Sequence, residues 1–112
     1  MKVTIIGAGS FVFTRHLVGD ILSFPELRDT DFSFMDIDES ALDMVSAWTR
    51  RLIKQVGSAG KVEATTDRRR ALQDANYVII SIRVGGIEAV VRDFQITAKY
   101  GVDHSVGDTM GP

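Results

Sequence analysis

The chain has 112 residues, a net charge of −2, 45% apolar and 25% charged residues, and no cysteine. This composition suits one soluble globular domain and excludes a disordered chain, a disulfide scaffold and a thiolate metal site within these residues. The small negative charge gives no bulk drive toward nucleic acid or a membrane surface, and no apolar run approaches the ~18 residues of a membrane span.

Met1–Phe13, MKVTIIGAGSFVF, opens with a short apolar strand carrying Val3, Ile5 and Ile6. One lysine precedes that strand, which leaves no space for a signal peptide, so a cytoplasmic location is expected. Gly7-Ala8-Gly9-Ser10 breaks the strand, and helical periodicity follows over Thr14–Leu22. A strand that runs through glycines into a helix brings backbone N–H groups and the positive helix end to one spot, which suits a phosphate. Gly7 permits the tight turn and Gly9 the close approach of a pyrophosphate. Val12 stands where the G-x-G-x-x-G/A fingerprint has its third small residue, and a plain strand-to-helix turn remains the alternative. The dinucleotide reading asks that the Gly7–Ser10 amides be unclaimed by protein groups.

Leu17, Val18, Ile21 and Leu22 form the core-facing stripe of this first helix, with His16 on the solvent side. Pro25 starts one further turn. Phe32–Met35 reads as the second strand and ends in Asp36, a position from which a carboxylate accepts both adenosine ribose hydroxyls and repels a 2′-phosphate. NAD is therefore expected over NADP. The alternative is that Asp36 or Asp38 caps the next helix, and both roles are compatible, with Asp36 on the ribose and Asp38 or Ser40 as the cap. Ala41, Val45, Trp48, Leu52 and Val56 mark the apolar face of a helix from about Glu39 to Val56, closed by Gly57.

Lys61–Thr65 reads as a third strand, and Thr66-Asp67 caps a short helix reaching Asp74. Its Arg68, Arg69 and Arg70 point in three directions and read as a solvated face. Tyr77–Ser81 reads as a buried central parallel strand, with Ser81, Ile82 and Arg83 emerging at its carboxyl end. After Gly85-Gly86, a last helix would bury Ile87, Val90, Val91, Phe94 and Ala98 and stop at Lys99-Tyr100-Gly101. The plan is a Rossmann-like α/β fold, the first half of a doubly wound parallel sheet with four strands ordered 3-2-1-4. A complete sheet of this kind has about six strands. Residues 1–112 are therefore expected to form an NAD-binding domain, the N-terminal part of a longer enzyme.

The opening KVTIIGAGSFVFT, the central MDID, the stretch RVGGIEAVVRDFQITAKYG and the closing VGDTMGP together resemble glycoside hydrolase family 4. GDTMGP and DFQITAKYG are far more family-specific than the glycine loop. Asp93-Phe94 and Gly107-Asp108-Thr109 look closer to the α-galactosidase and α-galacturonidase-like branch than to the 6-phosphoglucosidases. The resemblance implies NAD and manganese as cofactors and a glycosidase that works by redox elimination. Hydride leaves sugar C3 for NAD, a base removes the C2 proton, the C1 oxygen departs, water adds, and the hydride returns. It carries Gly7, Gly9, Ser10, Phe11 and Asp36 over as cofactor contacts, with Ser81 and Arg83 near the nicotinamide end. Asp108 and Thr109 border the substrate pocket, Asp108 being equally readable as a turn former. The family's metal-binding cysteine and histidine and its tyrosine base lie beyond residue 112, so no catalytic or metal residue is assigned here. The expected partner is a small glycoside, with a homo-oligomer expected at full length. A malate or lactate dehydrogenase type and a non-enzymatic NAD-sensing module remain as alternatives.

Overall fold

The computed structural model describes residues 1–82 and 84–102. The chain divides into two compact units, Met1–Ile82 and Arg83–Pro112. The first unit runs β1 (Lys2–Ile6), α1 (Phe11–Ser23), a 3-10 turn (Pro25–Leu27), β2 (Asp31–Met35), α2 (Glu39–Val56), β3 (Val62–Thr65), α3 (Arg68–Leu72) and β4 (Tyr77–Ile80). All strand pairs are parallel, and the sheet order is β3-β2-β1-β4, as the sequence predicts.

Strand alternation sorts the side chains of this sheet. Val3 and Ile5 of β1 stand in register with Phe32 and Phe34 of β2. These four are buried in one cluster with Val18 and Leu22 of α1 and Leu42, Val45 and Ile53 of α2. The opposite face presents Thr4 beside Ser33, and here α3 lies across β1, β2 and β3 with Ala71 buried. Both hydroxyls donate to the Ala71 carbonyl, Thr4 Oγ1 at 2.9 Å and Ser33 Oγ at 3.1 Å. The last carbonyls of a helix lack intrahelical donors, so two buried hydroxyls tie the end of a five-residue helix to the sheet. Thr4→Val is expected to cost about 1 kcal/mol, because Ser33 still serves the carbonyl. Adding Ser33→Ala strands that buried oxygen, and the pair should cost about 3 kcal/mol in urea unfolding, more than the sum of the single changes.

Helix ends follow local chemistry. Asp38 is the N-cap of α2 and accepts from the Ala41 amide at 3.0 Å, while Gly57 closes that helix at φ +69°. Asp67 caps α3 by accepting from the amides of Arg69 and Arg70.

Several expectations are corrected. α1 begins at Phe11, directly after Ser10, and α3 ends at Leu72. The buried line of α2 is Leu42, Val45, Ser46, Thr49 and Ile53, rotated from the predicted stripe, and Trp48, Leu52 and Val56 flank it half-buried. β4 is not a buried central strand. Among the described residues it is an edge paired with β1 alone, and Tyr77, Val78 and Ile80 are exposed. In the second unit, α4 (Gly86–Lys99) enters from left-handed Gly85 and is followed by left-handed Gly101, as its punctuation predicts. None of its residues is buried. Among the described residues, no helix is long and apolar enough to cross a membrane.

Candidate functional site

The carboxyl ends of β1, β2 and β4 bring Gly7–Ser10, Asp36 and Ser81 together at the rim of the sheet. Gly7 takes φ +86°, and a Cβ there would stand 1.9 Å from the Ser81 carbonyl oxygen. The Ser81 amide in turn donates to the Ile6 carbonyl at 2.8 Å, so the β4 exit is fixed against the start of the loop. The amides of Gly7 and Ala8 both donate to the Met35 carbonyl, at 2.8 and 3.0 Å. The loop is thereby bound to the tip of β2, and Thr14 Oγ1 closes it from α1 by donating to the Ala8 carbonyl at 2.9 Å.

Asp36 stands at that tip and is half-buried. Its Oδ2 accepts from the Gly9 amide at 2.7 Å and its Oδ1 from the Asp38 amide at 3.1 Å. Two carboxylate oxygens offer about four acceptor sites, so capacity remains for further donors.

One expectation is overturned here. The Gly7–Ser10 amides are all claimed: Gly7 and Ala8 by Met35, Gly9 by Asp36, and Ser10 by the Gly7 carbonyl at 3.2 Å. The loop uses its own N–H groups to set its shape. The donors left over lie one step along the chain. Among the described residues, the amides of Phe11, Val12 and Phe13 and the Ser10 hydroxyl have no protein partner, and no acidic side chain sits in the first turn of α1. The first amides of a helix are its orphan donors, and no acidic side chain within the first turn itself offsets the positive end. An anion would be received at Phe11–Phe13, beside the loop rather than inside it.

The Phe11 side chain turns to the core and meets Trp48 edge-on, with ring centroids 6.1 Å apart, so its contribution to a ligand would be its backbone. Trp48 is a core residue, as its place on an apolar stripe suggests. His16 is exposed beside Arg15, and Arg68, Arg69 and Arg70 are exposed on α3. Ser81 is half-buried, and its hydroxyl makes no hydrogen bond among the described residues. Arg83, Asp108 and Thr109 lie outside the described residues.

The sequence profile described as "Family 4 glycosyl hydrolase" matches residues 2–112. The chain belongs to glycosyl hydrolase family 4. This family assignment agrees with the motifs quoted above and sets the simple dehydrogenase alternative aside. Within family 4, the chain is 50% identical over 109 residues to an alpha-galactosidase of Rhizobium meliloti, covering 97% of this chain and 22% of that protein. It is 36% identical over 111 residues to an alpha-galactosidase of Bacillus subtilis, covering 98% and 26%. Among solved structures it resembles the 6-phospho-beta-glucosidase of Thermotoga maritima, determined with manganese, NAD+ and glucose-6-phosphate. That likeness has a TM-score of 0.76 at 35% identity and covers 92% of this chain and 25% of that one. The chain thus spans about a quarter of the length of these relatives.

Sequence reasoning located the loop, the β2 tip and the β4 exit, but missed that Asp36 is bonded to Gly9. No signal in the sequence marks that bond, which joins residues 27 positions apart; it shows only in the structure, where a Cβ at Gly9 would stand 2.7 Å from Asp36 Oδ2.

Proposed function

We propose that residues 1–112 are the NAD-binding N-terminal portion of a cytoplasmic family 4 glycosidase that hydrolyses α-galactosides or related α-glycosides by redox elimination. The observation that carries the cofactor part is the rim itself: unclaimed amides at the start of α1, with a carboxylate one strand away. Pyrophosphate would lie on the amides of Phe11–Phe13 and the Ser10 hydroxyl, with Gly7 and Gly9 shaping the approach. Asp36 would accept the adenosine ribose hydroxyls with its remaining lone pairs. Ser81, and Arg83 by resemblance, would border the nicotinamide end, and Asp108 and Thr109 the sugar. When bound, NAD supplies a hydride acceptor for sugar C3, the chemistry that lets C2 lose a proton and the C1 oxygen depart. The α-galactoside preference is supported by the 50% identity to the Rhizobium meliloti alpha-galactosidase.

Manganese does not fit the described residues. No group of three or more His, Cys, Asp or Glu among them would hold a metal ion, and the sequence has no cysteine. Its ligands, like the base that takes the C2 proton, are expected outside this chain, and the 112-residue chain alone is expected to bind NAD without hydrolysing glycosides.

Calorimetric titration tests the reading. NAD is expected to bind the protein roughly tenfold more tightly than NADP, because a 2′-phosphate would be placed against the Asp36 carboxylate. No heat of NAD binding to folded protein, or a preference for NADP, would remove the proposal. In the full-length protein, NAD- and manganese-dependent cleavage of an aryl α-galactoside completes the test.

A further inference from the structure

We propose that Asp36 is also a positioning residue: its carboxylate clamps the glycine loop, so that recognition of the ribose and of the pyrophosphate are linked through one side chain. The inference rests on the NAD reading above and deepens it. The Gly9 amide donates to Oδ2 at 2.7 Å, a charge-assisted bond spanning 27 positions of sequence. The other oxygen holds the Asp38 amide at 3.1 Å, and the Asp38 side chain caps α2 through Ala41. Loop, strand tip and the start of α2 thus form one chain of bonds centred on Asp36.

Gly9 shows how tightly this is fitted. A Cβ there would stand 2.7 Å from Asp36 Oδ2, 2.8 Å from its Cγ and 3.0 Å from the Ala41 Cβ. Glycine is therefore required by the clamp itself, apart from any approach of a pyrophosphate. Ser10 and the free amides of Phe11–Phe13 follow Gly9 directly, so the clamp sets the starting point of the anion-receiving turn.

The sign of one substitution separates this from a ribose contact alone. A carboxylate near an anion repels it, so if Asp36 served only the ribose, neutralising it would leave inorganic pyrophosphate binding unchanged or tighter. If it positions the loop, the same change must weaken it. For Asp36→Ala in the full-length protein, which removes both the charge and the acceptor of the Gly9 amide, inorganic pyrophosphate, followed through the amide shifts of Phe11 and Val12, is expected to bind about tenfold more weakly than in the wild type. Unchanged or tighter pyrophosphate binding would overturn the clamp. In the ligand-free wild type, the Gly9 amide is expected to exchange with solvent as slowly as the amides of β1; exchange at the rate of an open loop would overturn it equally. That second measurement decides alone should Asp36→Ala fail to fold. A wild type that protects Gly9 yet binds no NAD would leave the clamp standing and sink the cofactor reading instead.

Discussion

Gly7→Ala is expected to destabilise the protein by about 4 kcal/mol, at the upper end of single substitutions. Two separate effects add. At φ +86° an L-residue meets its own backbone, at a cost of about 1–2 kcal/mol. The new methyl would also stand 1.9 Å from the Ser81 carbonyl oxygen and 2.6 Å from its carbonyl carbon. Those are backbone atoms, so no rotamer change relieves the contact. The β4 exit has to move off β1, which forfeits the bond from the Ser81 amide to the Ile6 carbonyl. Urea unfolding should show a lowered midpoint at unchanged slope. Gly19→Ala supplies the contrast, since a Cβ there meets nothing within 4 Å. In the interior of α1 that change should stabilise by about 0.5–1 kcal/mol, because alanine is the better helix former. Equal outcomes at the two glycines would contradict the packing described at the rim.

Phe34→Ala is the second large effect, at about 4 kcal/mol. Phe34 is fully buried in β2, in register with Ile5 of β1 and Ala64 of β3, and its ring lies 6.0 Å from that of Phe32. Removing the ring loses its transfer free energy and leaves a cavity between sheet and helices that neighbours on regular strands cannot collapse to fill. Phe34→Leu keeps much of the volume and should cost about 1.5 kcal/mol. A Phe34→Ala loss below about 2 kcal/mol would show that this core relaxes more than close packing allows.

Much of the architecture was legible because short signals agreed. The apolar runs at Val3–Ile6 and Phe32–Met35 marked strands, Gly57 and the Asp38 or Ser40 cap marked the ends of α2, and the glycine loop marked the turn into α1. What escaped had physical causes. The buried line of α2 includes Ser46 and Thr49, whose hydroxyls have no partner among the described residues and which no apolar pattern marks. The apolar pattern therefore runs through Trp48 and Leu52 instead. The β-branched run of β4 resembles a covered central strand, but coverage depends on what lies beside it, and among the described residues only β1 pairs with it. At the site, residue types gave Gly7, Gly9 and Asp36, while the bond joining two of them depends on a contact across the sheet. The amides thought to be open turned out to be employed, because a tight loop must satisfy its own donors before it serves a ligand.

The one-sided pairing of β4 has a practical corollary. A peripheral strand with apolar side chains and an unused ladder is a template for another β-segment, including that of a second identical molecule. The 112-residue chain is thus expected to self-associate through this edge as its concentration rises, which a lysine in place of the exposed Val78 would discourage.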